Sequence, residues 1–233
     1  METGWIVGGV MTSLAFAMNI RDPIALAWVM STGRYVYGAD RYFDGKTIHD
    51  DSITSILLAL AISVSILYAN NMIIWAIPEV VCSAGYPLIK QKFPIYKPFH
   101  VGLCWTFAIA VVPQLISNSP IDTEAAISLF FISSAMSNYE DIKDIDEDKV
   151  NNVNTIPVVY GRRKALAVST VLFSLGVVRS ARSKAFPLFT LRTPRLIPIP
   201  KNKVFKNKVP KNKVPKNKIP KNKVPISTWS MVM

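Results

Sequence analysis

Ile127-Ser-Leu-Phe-Phe-Ile-Ser-Ser-Ala-Met136, followed after Ser137 by Asn138-Tyr-Glu-Asp-Ile-Lys-Asp-Ile-Asp-Glu-Asp-Lys149, is the stretch whose reading decides the fold. An uncharged apolar run gives way to a segment that holds six of the protein's fifteen acidic residues. A helix that carries on past Met136 sets Asp141, Asp144 and Asp148 at i, i+3 and i+7, on one face. Like charges at that spacing cost a helix about 0.2–0.5 kcal/mol per pair in water, and more beside a low-dielectric core. Positive charge is needed to offset them. Two readings are open: a solvated acidic helix end, or a carboxylate face that holds a divalent cation. Hard oxygen ligands in that arrangement suit Mg²⁺, which keeps waters and takes its other ligands from a substrate's phosphates.

Outward from this stretch, half of the 233 residues are hydrophobic, only 18% are charged, and the charges are bunched. Between the bunches stand apolar runs of about 16 to 20 residues, close to the length a bilayer-spanning helix needs. Seven candidate spans follow: 5–20, 23–38, 52–69, 72–89, 99–116, 121–138 and 165–178. The second carries Arg34 one turn before its end, and the seventh is short for a full crossing. Small residues alternate with large apolar ones, as in Leu57 to Ser65, and in lipid they let helices approach closely. The expected fold is all-α, a polytopic transmembrane helix bundle. Met1 to Gly4 carries Glu2 and lacks a basic n-region, so the first run reads as a retained membrane helix rather than a cleavable signal. Cys82 and Cys104 lie inside apolar runs without metal or disulfide spacing, the pattern of buried free thiols.

The loops are unequal. Those after the second, fourth and sixth spans carry Arg41 and Lys46; Lys90, Lys92 and Lys97; then Lys143, Lys149, Arg162, Arg163 and Lys164. The odd-numbered loops carry Arg21 alone. The positive-inside rule therefore turns the even loops toward the cytoplasm or its organellar equivalent, with the N-terminus on that side. The same loops hold ten of the fifteen acids, in Asp40 to Asp51 and Glu140 to Asp148. Acid-rich and base-rich patches thus share one membrane face. In the first, Asp40 and Asp44 stand at i and i+4. In the second, Tyr86 and Lys90 do the same, so that Tyr86 can donate a hydrogen bond and Lys90 can act as a point charge to a phosphate or as a snorkelling anchor.

Three patches in this order resemble the UbiA superfamily of intramembrane prenyltransferases. Ala39-Asp-Arg-Tyr-Phe-Asp-Gly45 is similar to the second half of the family's Asn-Asp-x-x-Asp-x-x-x-Asp motif, Tyr86-x-x-x-Lys90 to its Tyr-x-x-x-Lys motif, and Asp141-x-x-Asp144-x-x-x-Asp148 to its second aspartate motif. Asn154-Thr-Ile-Pro-Val-Val-Tyr-Gly161 and Lys164-Ala165 also match the sequence that follows that motif. The resemblance covers residues 5–178 and implies a UbiA-like transmembrane domain. The implied reaction moves an isoprenoid from its diphosphate to a lipophilic, often aromatic, acceptor. It further implies Mg²⁺ on Asp40, Asp44, Asp141, Asp144 and Asp148, diphosphate binding by Tyr86, Lys90 and Arg41, and catalytic roles for Asp144, Asp148 and Lys90.

Two departures qualify this. Val36 and Tyr37 stand where the first motif opens with Asn and Asp, and the family has nine membrane helices where this chain offers seven at most. An incomplete domain, and an inactive remnant that keeps the scaffold, are the corresponding alternatives. A cation transporter is a weaker rival, because only Glu79 is an ionisable group well inside a span. Residues 179–233 form a second region, basic and proline-punctuated, with pentapeptides of the type Lys-Asn-Lys-Val-Pro. Its ten lysines between residues 201 and 225 leave the rest of the chain at only +2 of the net +12. Proline every fifth residue opposes helix and core alike, so this tail is expected to be disordered. Its expected partner is anionic lipid, bound non-specifically, and no specific nucleic acid. A truncated or frame-shifted end is one expectation for its origin. His49 and His100 read as interfacial polar residues, and Glu79 as a functional candidate.

Overall fold

The computed structural model describes residues 3–43, 53–150 and 152–183. All belong to the first of two units, Met1–Pro194; the second, Arg195–Met233, lies outside the described residues together with the lysine repeats. Asp44, Lys46 and His49 lie outside them too.

The described chain is helical, with no strand among the described residues. α1 (Thr3–Ala17), α2 (Pro23–Phe43) and α3 (Ile53–Ala69) are followed by a 3₁₀ turn and α4 (Ala76–Lys92). A second 3₁₀ turn leads into α5 (Lys97–Thr106), a π turn (Phe107–Val111) and α6 (Val112–Ile116), which form one nearly unbroken rod. α7 (Thr123–Lys143), α8 (Ile145–Val150), α9 (Ile156–Tyr160) and α10 (Arg162–Ser180) complete it. The seven apolar runs correspond to α1, α2, α3, α4, the α5–α6 rod, α7 and α10. The π turn has a local cause. Pro113 has no N–H for the carbonyl four residues back, and Val112 N–H instead reaches Phe107 O, a wider turn.

By length and composition one helix, Pro94–Ile116, is long and apolar enough to cross a membrane; Gly4–Ala17, Ile53–Ala69 and Ile73–Cys82 are shorter apolar helices. The expected seven crossings are therefore not established among the described residues. α2 and α7 have the length but end in Asp40 and Arg41, and in Glu140, Asp141 and Lys143, which dilute their apolar character.

Helices touch at small residues. A Cβ on Gly102 of α5 would stand 2.7 Å from the Phe130 carbonyl oxygen of α7, so only glycine allows that approach. On α7's other side, Ser128 Oγ donates to the Gly176 carbonyl of α10 at 2.8 Å, and Asn138 Nδ2 donates to the Ala165 carbonyl and to Ser169 Oγ, both at 2.8 Å. Arg34 is fully buried, with its guanidinium carbon 5.9 Å from the Trp5 ring centroid and packed against Gly4 of α1. A cation inside the second run is thus housed within the bundle. The main core joins α1, α2 and the π turn through Met11, Trp28, Val29 and Ile109. A smaller cluster of Ile142, Ile156 and Ala165 underlies the acidic segment. Outer faces of α3, α4 and α10 expose Leu57, Leu58, Ile77, Val81 and Val171, large apolar surface of the kind that lipid or another apolar partner covers.

Candidate active site

α7 does carry on past Met136, and it brings Asp141 inward to 1% exposure. Lys97, the first residue of α5, donates from Nζ to Asp141 Oδ1 at 2.5 Å. The other oxygen, Oδ2, is buried with no hydrogen-bond partner among the described residues. Burial pushes the Asp141 carboxyl above the ordinary carboxylate range; the Lys97 ammonium pulls it partly back, and the nearby Asp148 and Asp144 push it up again. The three motif carboxylates are therefore within electrostatic reach of one another.

They do not form one continuous helical face. α7 ends at Lys143, Asp144 bends the chain (φ −95°, ψ 8°), and α8 starts at Ile145. A single long helix would place Asp144, Asp146, Glu147 and Asp148 toward a C-terminal end, which repels anions. The restart puts Asp146, Glu147 and Asp148 in the first turn of α8, where the helix dipole favours them. Register survives the bend, since Asp148 N–H donates to the Asp144 carbonyl at 2.8 Å. Asp144 is exposed, and Asp148 is half-buried with Oδ2 accepting from Thr155 Oγ1 at 2.9 Å. Asp146 points to solvent.

The other patches gather around a cavity of about 200 Å³ walled mainly by aromatic and aliphatic side chains of α1, α2, α4 and the α5–α6 rod. Asp40, Tyr37 and Tyr86 line it, and so does Val36. Arg41, one residue beyond Asp40, donates from Nη1 to Tyr37 Oη at 3.2 Å. Lys90 Nζ stands 6.0 Å from the Tyr86 ring centroid. His100, expected at the interface, instead stacks on Tyr86 (centroids 6.2 Å apart) and meets the Cys82 carbonyl at 3.0 Å through Nε2. Both cysteines are free, Cys82 buried and Cys104 half-buried. The short Phe93–Tyr96 connection joins Lys90 and Lys92 at the end of α4 to Lys97, and Lys97 reaches the end of α7. The ends of α2, α4 and α7 thus carry the three patches at one end of the helix array, with Asp40 and Tyr86 on the cavity itself. Asp44 lies outside the described residues.

Carboxylate oxygens are the donors Mg²⁺ prefers, and it needs only one or two of them besides waters and phosphates. The buried, unpartnered Asp141 Oδ2 beside Asp144 and Asp148 fits that donor chemistry. Among the described residues no three His, Cys, Asp or Glu side chains converge into a closed metal cage.

Two contacts at this site are not legible in the sequence, and a third concerns Glu79, which the sequence already singles out. By sequence Lys97 is one loop cation among several, yet it is the counter-charge of Asp141. Thr155, 1% exposed, holds Asp148; the Thr-Ile-Pro sequel flagged the position but not the contact. Glu79 is held by hydroxyls from two other helices, Thr32 and Ser63.

Neither the curated proteins nor the solved structures give a match to this chain. A family model does: the UbiA prenyltransferase family over residues 52–196. The matched segment contains Tyr86, Lys90, Lys97 and the whole of Asp141 to Asp148, and begins after the Asp40 patch. That span is more than half of the sequence. The chain belongs to the UbiA prenyltransferase family.

Proposed function

We propose that this protein is a multi-pass membrane enzyme that moves an isoprenoid chain from its diphosphate to a lipophilic acceptor. The observation that carries the reading is the apolar cavity whose lining includes Asp40 and Tyr86, at the same helix ends where Lys97 holds Asp141. The diphosphate lies at those helix ends and the prenyl chain runs into the cavity. Lys90 and Arg41 donate to its oxygens, and the Tyr86 hydroxyl adds a hydrogen bond. Asp144, Asp148 and the free oxygen of Asp141, with Asp40 and Asp44 from the opposite patch, would hold Mg²⁺. Bound there, the metal supplies Lewis-acid neutralisation of the departing diphosphate. Thr155 keeps the Asp148 carboxylate oriented, and Lys97 keeps Asp141 in place. The walls exclude water, which would otherwise quench the allylic cation left by C–O cleavage; the Trp75, Trp105 and Phe107 rings suit a cation's surroundings. The even-numbered loops face the cytoplasm or its organellar equivalent.

A scaffold without turnover is the second reading, and Val36 and Tyr37 favour it. They line the cavity where the first aspartate motif would present Asn and Asp. Membranes containing the full chain, incubated with labelled prenyl diphosphates, Mg²⁺ and a panel of acceptors, distinguish the two. Label moving into an acceptor, lost on chelation and in Asp144→Ala and Asp148→Ala but largely kept in Asp146→Ala, supports catalysis. No transfer from any chain length supports the scaffold.

A further inference from the structure

Asn138 lies on α7 one turn before Asp141, at 0% exposure. Its Nδ2 donates to the Ala165 carbonyl and to Ser169 Oγ of α10, both at 2.8 Å. A carbonyl only accepts, so the amide nitrogen must face Ala165, and Oδ1 is turned away from that bond. Oδ1 is buried and has no hydrogen-bond partner among the described residues, and the same holds for Asp141 Oδ2. At about 100° and 1.5 Å per residue, Asp141 stands about 60° round the helix from Asn138 and about 4.5 Å along it. Ser134, which meets Gly102 of α5, stands about 40° round on the same side; Ser128, which bonds Gly176 of α10, stands about 80° round on the other. Asn138 therefore faces the seam between α5 and α10. Its nitrogen is spent on α10, which leaves its oxygen for the side on which Lys97 holds Asp141 by Oδ1. Two buried acceptors without a donor, one turn apart, are costly, and a positive occupant relieves both. The charges ask for the same. Asp144 and Asp148 lie within electrostatic reach of Asp141, Lys97 is the ammonium bonded to Asp141, and Lys143 is turned to Glu140. A divalent cation brings the missing charge; a water brings none.

We infer that Asn138 is a further ligand of the divalent cation: its Oδ1 and Asp141 Oδ2 bind the ion together, from successive turns of α7. Amide and carboxylate oxygens are both hard ligands, and Mg²⁺ takes one or two protein oxygens beside waters and phosphates. Each side chain is fixed through its other polar atom, Asn138 by α10 and Asp141 by Lys97, and such outer contacts orient metal ligands. The inference rests on the Mg²⁺ assignment within the prenyl-transfer reading, but cation binding is measurable without transfer.

The test measures Mn²⁺ binding, as loss of the free-ion EPR signal, to the full chain in phosphatidylcholine nanodiscs. Prenyl diphosphate is left out, and empty nanodiscs give the correction. Asn138→Leu removes both the oxygen and the nitrogen, whereas Asn138→Asp keeps an oxygen but no longer donates to α10. Asn138→Leu is expected to weaken Mn²⁺ binding by about tenfold or more, while Asn138→Asp stays within about threefold of wild type or binds more tightly. A residue that only clasps α7 to α10 gives another pattern: both variants lose the bonds to Ala165 and Ser169, so they fall together. If Asn138→Leu accumulates poorly, Asn138→Ser, which draws the oxygen back toward the backbone, reads the same contact with the same loss expected. Three results overturn the inference. They are no Mn²⁺ binding by the wild type, an unchanged affinity in Asn138→Leu (the oxygens then hold only a water), or equal weakening in Asn138→Leu and Asn138→Asp. Transfer assayed in parallel separates the two claims. The expected Mn²⁺ ranking without transfer removes the prenyl-transfer reading and supports the ligand; chelator-sensitive transfer with unchanged Mn²⁺ affinity in Asn138→Leu overturns the ligand alone.

Discussion

Lys97 and Asp141 show how one pair sets the geometry of the acidic segment. The carboxylate is 1% exposed and its ammonium partner 16%, so removing the lysine leaves a buried charge without compensation. Loss of one partner of such a pair costs about 3–5 kcal/mol, whereas replacing both by apolar groups of similar volume is far cheaper. Lys97→Ala is therefore expected to lower the unfolding free energy in detergent by that order, and Lys97→Met with Asp141→Leu to recover most of it. A double-mutant cycle in which the two effects simply add would show that the pair is not coupled. The Glu140–Lys143 pair makes a useful contrast: both side chains are more than half exposed, and such pairs contribute little. Thr155 acts at the same scale. Thr155→Val removes one hydrogen bond to a carboxylate, about 1.5–3 kcal/mol, and releases Asp148, so the proposed prenyl transfer should fall by more than that loss of stability accounts for. Asn154→Ala, at an exposed neighbour, should do neither. Wild-type turnover in Thr155→Val would show that Asp148 needs no such support.

At the scale of elements, the contact between α5 and α7 places Lys97 against Asp141. Gly102 sits in that contact, where an added methyl would meet the Phe130 carbonyl at 2.7 Å, while Gly9 of α1 has nothing within 4 Å. Overpacking of that kind costs about 1–3 kcal/mol, and Gly→Ala in an open helical position is neutral or favourable by up to about 1 kcal/mol. Gly102→Ala should consequently lower the thermal midpoint and loosen the Lys97–Asp141 pair, and Gly9→Ala should leave it the same or higher. Identical midpoints for the two variants would mean that α5 and α7 yield freely. The bend at Asp144 also belongs here: two helix ends replace one, and the acids move from a repelling C-terminus to an accepting N-terminus.

At the scale of the whole molecule, what matters is how the helices lie across lipid. Membership of a membrane-embedded family makes this an integral membrane protein, and the basic loops predict its orientation. Single cysteines introduced near Asp44, Lys92 and Asp148 in a chain lacking Cys82 and Cys104 should all label from the same side. Opposite labelling at Lys92 and Asp148 would overturn that orientation.

The sequence alone was enough to locate the helices, because an apolar run is bounded locally by charge, proline or asparagine. All seven runs reappear as helices within a few residues of their expected ends. It was enough, too, for the Tyr86–Lys90 and Asp141–Asp148 patches, since their spacing lies within one or two helical turns. What it could not hold was pairing between distant elements. Asp141 finds its cation 44 residues away, and Glu79 finds hydroxyls 47 and 16 residues away. Such partners depend on which helix packs on which, and that is decided by small residues such as Gly102 meeting a particular backbone. The break at Asp144 likewise needed the structure: an i, i+3, i+7 pattern is equally compatible with a straight helix and with one that restarts. What separates the two is the Thr155 contact to Asp148 and the packing of Ile145, the first residue of α8, against the small apolar cluster of Ile142, Ile156 and Ala165.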